Sequence, residues 1–251
     1  MRKQVFFILS ISLALTILSC NKKETISAKK NTSVIDSLPE HDCTGEEEYE
    51  ESTSGEPDNV TYPETGNKIA DFLPKPDVYE VQYKAEGDLN NDNLPDIAVV
   101  LKHKENYTLK RPMLILLQNA DKSYRLDKIS NIVMPPEYNE NDFKMYTETI
   151  SIEKEELRIY LFGGPHNAIS STFKYIEKDL VLNALTAYSG GAGSIVEMSY
   201  DFEKSESTTK ETNTMEENMP STSETFPVKK ELHIFEDTAL TEFYNGDSDE
   251  S

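Results

Sequence analysis

Oxygen-bearing side chains stand at alternate positions in one short stretch of this 251-residue chain, Gly87-Asp88-Leu89-Asn90-Asn91-Asp92-Asn93-Leu94-Pro95-Asp96. Asp88, Asn90, Asp92 and Asp96 fall at loop positions one, three, five and nine, and Leu94 at position seven can add its backbone carbonyl. A hard cation such as Ca²⁺ takes roughly six to eight oxygen ligands, and a tight loop with this spacing can supply them. Three carboxylates set −3 against the +2 of the ion; without a cation, so many acids in one loop repel one another. Asn93 stands where such a turn needs a left-handed backbone, which Asn tolerates better than most residues. Position twelve is Val99 rather than Glu, and an apolar β-prone run follows instead of a helix, so the loop is not an EF-hand. The expected role of the cation is structural, fixing a strand–loop–strand unit.

Other reactive residue types lack the company that catalysis needs. His103, His166 and His233 have no His or Cys two to four residues away, which argues against zinc. Gly163-Gly164-Pro165-His166 reads as a chain reversal requiring positive φ rather than an active-site turn. Gly190-Gly191-Ala192-Gly193-Ser194 has no helix pattern after it, so it cannot present a helix N-terminus to phosphate. Ser189 and Ser194 lie in no nucleophile elbow. The many Glu residues fall on polar strand faces or in tails. The expectation is a non-enzymatic binding or envelope-associated module. A hydrolase of envelope or extracellular polymer is the alternative. A binding module should expose a shallow, Tyr-rich face; a hydrolase should show convergent carboxylates or a perturbed His in a cleft.

The elements that would hold the loop are strands. Tyr79, Val81, Tyr83 and Ala85 alternate with polar residues and lead into Gly87, and Ile97 to Leu101 is an unbroken apolar run after the loop. Met113–Leu117 is another buried strand, and Asn119-Ala120-Asp121-Lys122 turns the chain into Tyr124 and Leu126. Thr149–Glu153 and Glu156–Phe162 pair around Lys154-Glu155, with Ile150, Ile152, Leu157, Ile159 and Leu161 on one face. Ser171–Ile176 and Leu180–Tyr188 pair around Lys178-Asp179, and Ile195–Phe202 follows. Val228–Phe235 has strand character with Leu232 and Ile234 inward. No stretch sustains a 3.6-residue apolar period. Strand after strand with short turns predicts an all-β fold, a single antiparallel twisted sheet or a sandwich. Residues 67–240 form the expected β domain, with a mobile Ser-, Thr- and Glu-rich insertion at about 203–225 and a disordered tail at 241–251. Tyr rings are expected inside, with hydroxyls at the edge.

Residues 20–66 read as a disordered acidic tether, since a run such as GEEEYEESTSGEPD cannot bury enough surface to offset ordering entropy. Before it, Arg2 and Lys3 precede an apolar stretch from Val5 to Leu18, the pattern of a signal peptide over residues 1–19. Its end, Ile17-Leu18-Ser19-Cys20, resembles the lipobox of bacterial lipoproteins, which implies lipidation of Cys20 (including a palmitate-type acyl chain) and a membrane partner through that lipid. Asn21 after Cys20 resembles the sorting pattern of Gram-negative outer-membrane lipoproteins; either face of that membrane is open. Cys43 then has no partner and reads as a solvated thiol in the tether. The formal charge is −21, and loss of Arg2 and Lys3 with the signal peptide makes it −23. Such a charge excludes nucleic acid, whose phosphates demand Lys and Arg. The remaining partner is a protein or glycan ligand.

The order Asp88-Leu89-Asn90-x-Asp92-x-x-x-Asp96-Ile97-Ala98-Val99-Val100 resembles the calcium loops of FG-GAP and VCBS-type repeats. That resemblance implies Ca²⁺ held by Asp88, Asn90, Asp92, Asp96 and the Leu94 carbonyl, in a loop joining two antiparallel strands. Asn91 and Asn93 stand where the family often has Gly. The likeness covers about fourteen residues in one copy, so the family's propeller is not implied here. More broadly, the order of parts is similar to small uncharacterised bacterial lipoproteins carrying one such loop.

Overall fold

A computed structural model describes residues 60–244. The signal peptide, Cys20, Cys43, most of the tether and residues 245–251 of the tail lie outside that range. The chain is all-β, as expected, and two antiparallel sheets make it a sandwich. The first sheet contains β1 (Thr65–Gly66), β2 (Tyr79–Gly87), β3 (Asp96–His103), β4 (Arg111–Gln118) and β5 (Tyr124–Met134), in the order β1-β5-β4-β3-β2. The second is a continuous meander of β6 (Thr147–Glu153), β7 (Glu156–Phe162), β8 (Asn167–Ile176), β9 (Asp179–Gly190), β10 (Ser194–Asp201), β11 (Glu206–Asn213) and β12 (Ser221–Pro227).

The two sheets differ in how they are covered. In the second, β7 alternates strictly: Leu157, Ile159 and Leu161 are buried, while Arg158, Tyr160 and Phe162 face solvent. That is the pattern of a sheet wet on one side. In the first, β3 and β4 are buried on both faces. Ala98, Val100, Met113 and Ile115 face the second sheet, meeting Leu157, Ile159, Phe173 and Leu182. Ile97, Val99, Leu101, Leu114 and Leu116 face the other way, under Phe72 and the flanking Val60, Tyr62, Ile69 and Leu73. The segment before β2, with a short 3₁₀ turn at Ile69–Phe72, therefore roofs the first sheet. The ordered chain starts before residue 67, because β1 pairs with β5 through Thr65 and Gly66.

Three sequence expectations change in detail. Tyr79, Val81, Tyr83 and Ala85 do not share a face. A β-bulge leaves Gln82 without a partner between Val81 and Tyr83, and one extra residue reverses the parity of the strand beyond it. Tyr79 belongs to the roofed core, whereas Ala85 belongs to the core between the sheets. Residues 203–225, read from composition as a mobile insertion, instead form β11 and β12 at the sheet's outer end. Their Thr residues suit a pleated surface, and the hydroxyls pair across strands, Thr208 with Thr225 at 3.0 Å and Thr212 with Ser221 at 2.8 Å. Finally, Val228–Phe235 is not a strand. Ile234 makes one isolated bridge to Val181, Leu232 is 62 % exposed, and Phe235 is the buried residue. Its ring meets Phe173 edge-on at 5.5 Å, inside a 3₁₀ turn packed on β5 and β9.

The sheets meet along edge strands β2 and β6. Gly87 lies so close to β6 that a Cβ there would sit 2.8 Å from both the carbonyl oxygen and Cγ2 of Ile152. Further along the same edge, buried Arg111 of β4 donates from Nη2 to Glu148 Oε1 of β6 at 2.6 Å. It also donates from Nη1 to the bulged Gln82 at 2.9 Å and from Nε to the Pro135 carbonyl at 2.8 Å. The second oxygen of Glu148 accepts from the Tyr83 hydroxyl at 2.9 Å. Burial, and then Glu148, push the Tyr83 phenol up to about 12. The pair is 2 % and 0 % exposed at its side chains, so each charge depends on the other. Arg111→Ala or Glu148→Ala alone should cost about 3–5 kcal/mol, because the remaining charge is buried unpaired. The double replacement Arg111→Met with Glu148→Leu should cost much less than the sum of the two single changes. Urea unfolding of the three variants checks this; additive costs would contradict it.

Candidate cation loop and exposed aromatic groove

The loop singled out in the sequence spans Asp88 to Pro95, between the last residue of β2 and the first of β3. Two anchors hold it. Leu89 is 1 % exposed and belongs to the core between the sheets. Asp96 is fully buried, and its carboxylate accepts three backbone N–H groups. Oδ2 takes Leu89 at 2.9 Å and Asn90 at 3.3 Å, and Oδ1 takes Gln118 at 3.0 Å. The side chain thus ties the loop's start to the end of β4. Burial pushes this carboxyl above its ordinary value, against the three N–H bonds that favour the charged form; nearby Asp92 acts in the same direction as burial.

The other oxygens organise the loop's own backbone. Asp88 accepts from the N–H groups of Asp92 at 3.1 Å and Asn93 at 2.8 Å. Asn90 Oδ1 accepts from Asp92 N–H at 3.1 Å, and Asp92 Oδ1 from Leu94 N–H at 2.8 Å. Both Asn91 and Asn93 take left-handed φ, 61° and 64°. Asn serves there because its short polar side chain makes that conformation tolerable.

The donors fit a hard cation in type, all being oxygens. A carboxylate offers about four acceptor sites, so Asp88 and Asp92 keep free lone pairs and Asp96 keeps one. Among the described residues no group of three His, Cys, Asp or Glu side chains is gathered as a metal cluster. One contact shows what would have to give. The Asn90 amide nitrogen faces Asp92 Oδ2 at 2.9 Å, supplying a hydrogen-bond donor where a cation would supply charge. Leu94 contributes its N–H to the loop, which leaves its carbonyl for other use.

The second feature lies on the wet face of the second sheet and was not named residue by residue from the sequence. Tyr160 and Phe162 of β7 project outward, each 41 % exposed, with rings nearly parallel at 19° and centroids 6.4 Å apart. With Ala168 and Ser170 of β8, Thr186 and Tyr188 of β9, and Gly164 and Pro165 of the intervening turn, they line a groove of about 380 Å³. Gly164 closes its end at φ 106°, a conformation that requires glycine. The signal was available: Tyr160 and Phe162 alternate with Leu157, Ile159 and Leu161, so their rings had to face water.

The three histidines of the described residues are far apart in role. His103 Nδ1 accepts from the N–H groups of Glu105 and Asn106. The His166 carbonyl accepts from Gly190 N–H. His233 packs against Phe202 and Phe243, at 4.7 and 5.2 Å.

No family model matches the chain, and neither a curated protein nor a solved structure matches it. Asp96→Asn should destabilise the protein by about 2–3 kcal/mol in the presence of a chelator, since the amide presents N–H groups to backbone donors in a buried place. Chemical unfolding in EDTA measures this. An unchanged midpoint would mean that Asp96 serves only a cation.

Proposed function

We propose that this chain is a lipid-anchored, calcium-stabilised β-sandwich of the bacterial cell envelope that binds an extracellular ligand on the wet face of its second sheet. One observation carries the reading: the exposed groove of Tyr160, Phe162 and Tyr188 is shallow and aromatic, the form expected of a binding module. The hydrolase alternative calls for convergent acids in a cleft. Among the described residues the buried carboxylates are spoken for: Glu148 by Arg111 and Tyr83, Glu137 by Lys144, and Asp96 by backbone. The acids that line a cleft beside His233, namely Glu231, Asp237 and Glu242, are exposed to solvent.

Calcium in this reading is structural, held by Asp88, Asn90, Asp92, the Leu94 carbonyl and the remaining acceptor of Asp96. The separation of the two features supports that role. Near the loop, Leu89 and Asn90 share a cleft with Glu156 at the start of β7, whereas Phe162 ends that strand in the groove. At about 3.3 Å per residue these ends are roughly 20 Å apart. A cation in the loop would act on the groove only by stiffening the strands between them. The lipid on Cys20 would place the domain at the outer membrane, and the acidic charge keeps copies apart.

Three measurements test the parts separately. Saturating calcium should raise the melting temperature by roughly 5–10 °C over chelator, and Asp88→Ala should remove the shift; equal melting temperatures would refute the cation. The Cys20→Ala chain should leave the membrane fraction and lose incorporation of a labelled palmitate analogue. In a cross-linked pull-down from native envelope, Tyr160→Ala with Phe162→Ala should lose the captured material. Undiminished capture would refute the groove as the binding face.

A further inference from the structure

We infer that the groove on the second sheet takes an uncharged saccharide chain, an inference that rests on the binding-module reading and names its ligand class. Three observations converge. First, none of its eight lining residues is charged, in a chain of net charge −21. An uncharged window in so acidic a chain admits a neutral polyol, while the net charge opposes an anionic polymer; Arg158 is the one cation on the outward face of β7. Second, the Tyr160 and Phe162 rings lie nearly parallel, and each residue is 41 % exposed. A ring face carries negative quadrupole charge and attracts the weakly positive C–H groups that line one side of a pyranose. The 6.4 Å between centroids is comparable to the length of one pyranose unit, so successive rings can serve successive sugars.

Third, the sheet register supplies hydroxyls in line with the rings. Thr149, Tyr160, Ser170, Thr186, Ser199, Thr208 and Thr225 are direct cross-strand neighbours from β6 to β12. Direct neighbours share a face, so each strand contributes a hydroxyl to one outward row. Thr186 and Ser199 already bond to each other at 3.2 Å, as do Thr208 and Thr225 at 3.0 Å. A hydroxyl both donates and accepts, and it can exchange such a bond for one to a sugar hydroxyl with little loss. The row crosses the stacked pair at Tyr160, giving apolar contact and paired hydroxyls on the same flat surface. A second copy of the chain is a poor occupant. The like charges of two such acidic chains oppose it.

The test is affinity electrophoresis of the full chain in detergent, through gels containing the neutral polymers dextran, xylan and laminarin or the acidic polymers alginate and heparin. The expected result is retardation by at least one neutral polymer and by neither acidic one. Tyr160→Ala and Phe162→Ala should each weaken it about tenfold, while Tyr160→Phe, which keeps the ring face, should retain most of it. These positions are exposed, so the alanine variants should stay folded; unchanged thermal melting verifies that. Absence of retardation by all three neutral polymers, or retardation that the alanine variants leave intact, overturns the saccharide. The envelope pull-down separates this failure from the wider one. If capture depends on Tyr160 and Phe162 but the captured material is protein, the binding face stands and the saccharide falls. If capture ignores both residues, the binding face falls as well.

Discussion

The buried pair of Arg111 and Glu148 sets the geometry on which the rest of the molecule depends. It connects β4 of the first sheet to β6 of the second, where the edges of the sandwich come together. Apolar packing alone fixes sheet-to-sheet distance but leaves sliding and rotation soft, because it is non-directional. A guanidinium held by three acceptors is directional. Its partners come from β2, from β6 and from the chain beyond β5, so one side chain coordinates three segments. The bulge at Gln82 answers this requirement. It turns an amide oxygen toward Arg111 and, by reversing parity, sends Tyr83 toward the second oxygen of Glu148. Such a pair is weak evidence for net stability, since desolvation consumes most of the Coulomb energy.

The same edge explains how the Asp88–Pro95 loop is carried. The loop leaves β2 at Gly87, which lies close against Ile152 of the second sheet, and Leu89 drops at once into the shared core. The loop is therefore seated on packed structure before any ion enters. Asp96 completes the seat by binding backbone of the loop and of β4 together. A calcium ion would add charge neutralisation to a conformation that hydrogen bonds already favour, which suits a stabilising role better than a switching one.

Much of this was legible in the sequence, and the exceptions have physical causes. The alternation of Leu157, Ile159 and Leu161 marked β7 and its inward face, and Lys154-Glu155 marked the turn. Both turn residues take positive φ, 54° and 64°, so a two-residue hairpin forms there without Gly or Asn. The bulge was hidden because Tyr79, Val81, Tyr83 and Ala85 alternate perfectly, and the Arg111 that bonds the bulged Gln82 is 29 residues away in sequence. Glu148 was visible in principle, since it shares parity with Ile150 and Ile152 and so had to point inward. Arg111 opens an otherwise apolar run, which is the matching cue. β11 and β12 were missed because composition reports burial, and these strands bury little; hydrogen bonds to β10 and across hydroxyl pairs hold them instead. Leu232 misled because hydrophobicity does not choose between neighbours, and Phe235 took the core position.

β11 and β12 have one more consequence. They extend the second sheet past the interior, contributing no residue to the buried cluster between the sheets. The width of the outer surface is thus uncoupled from the residues that make the protein fold. Hairpins can be gained, lost or rewritten at that end at little cost to folding, while Arg111, Glu148 and the loop seat stay fixed. Natural variation in what this surface contacts should accumulate from β11 outward, as an evolvable margin on a constant frame.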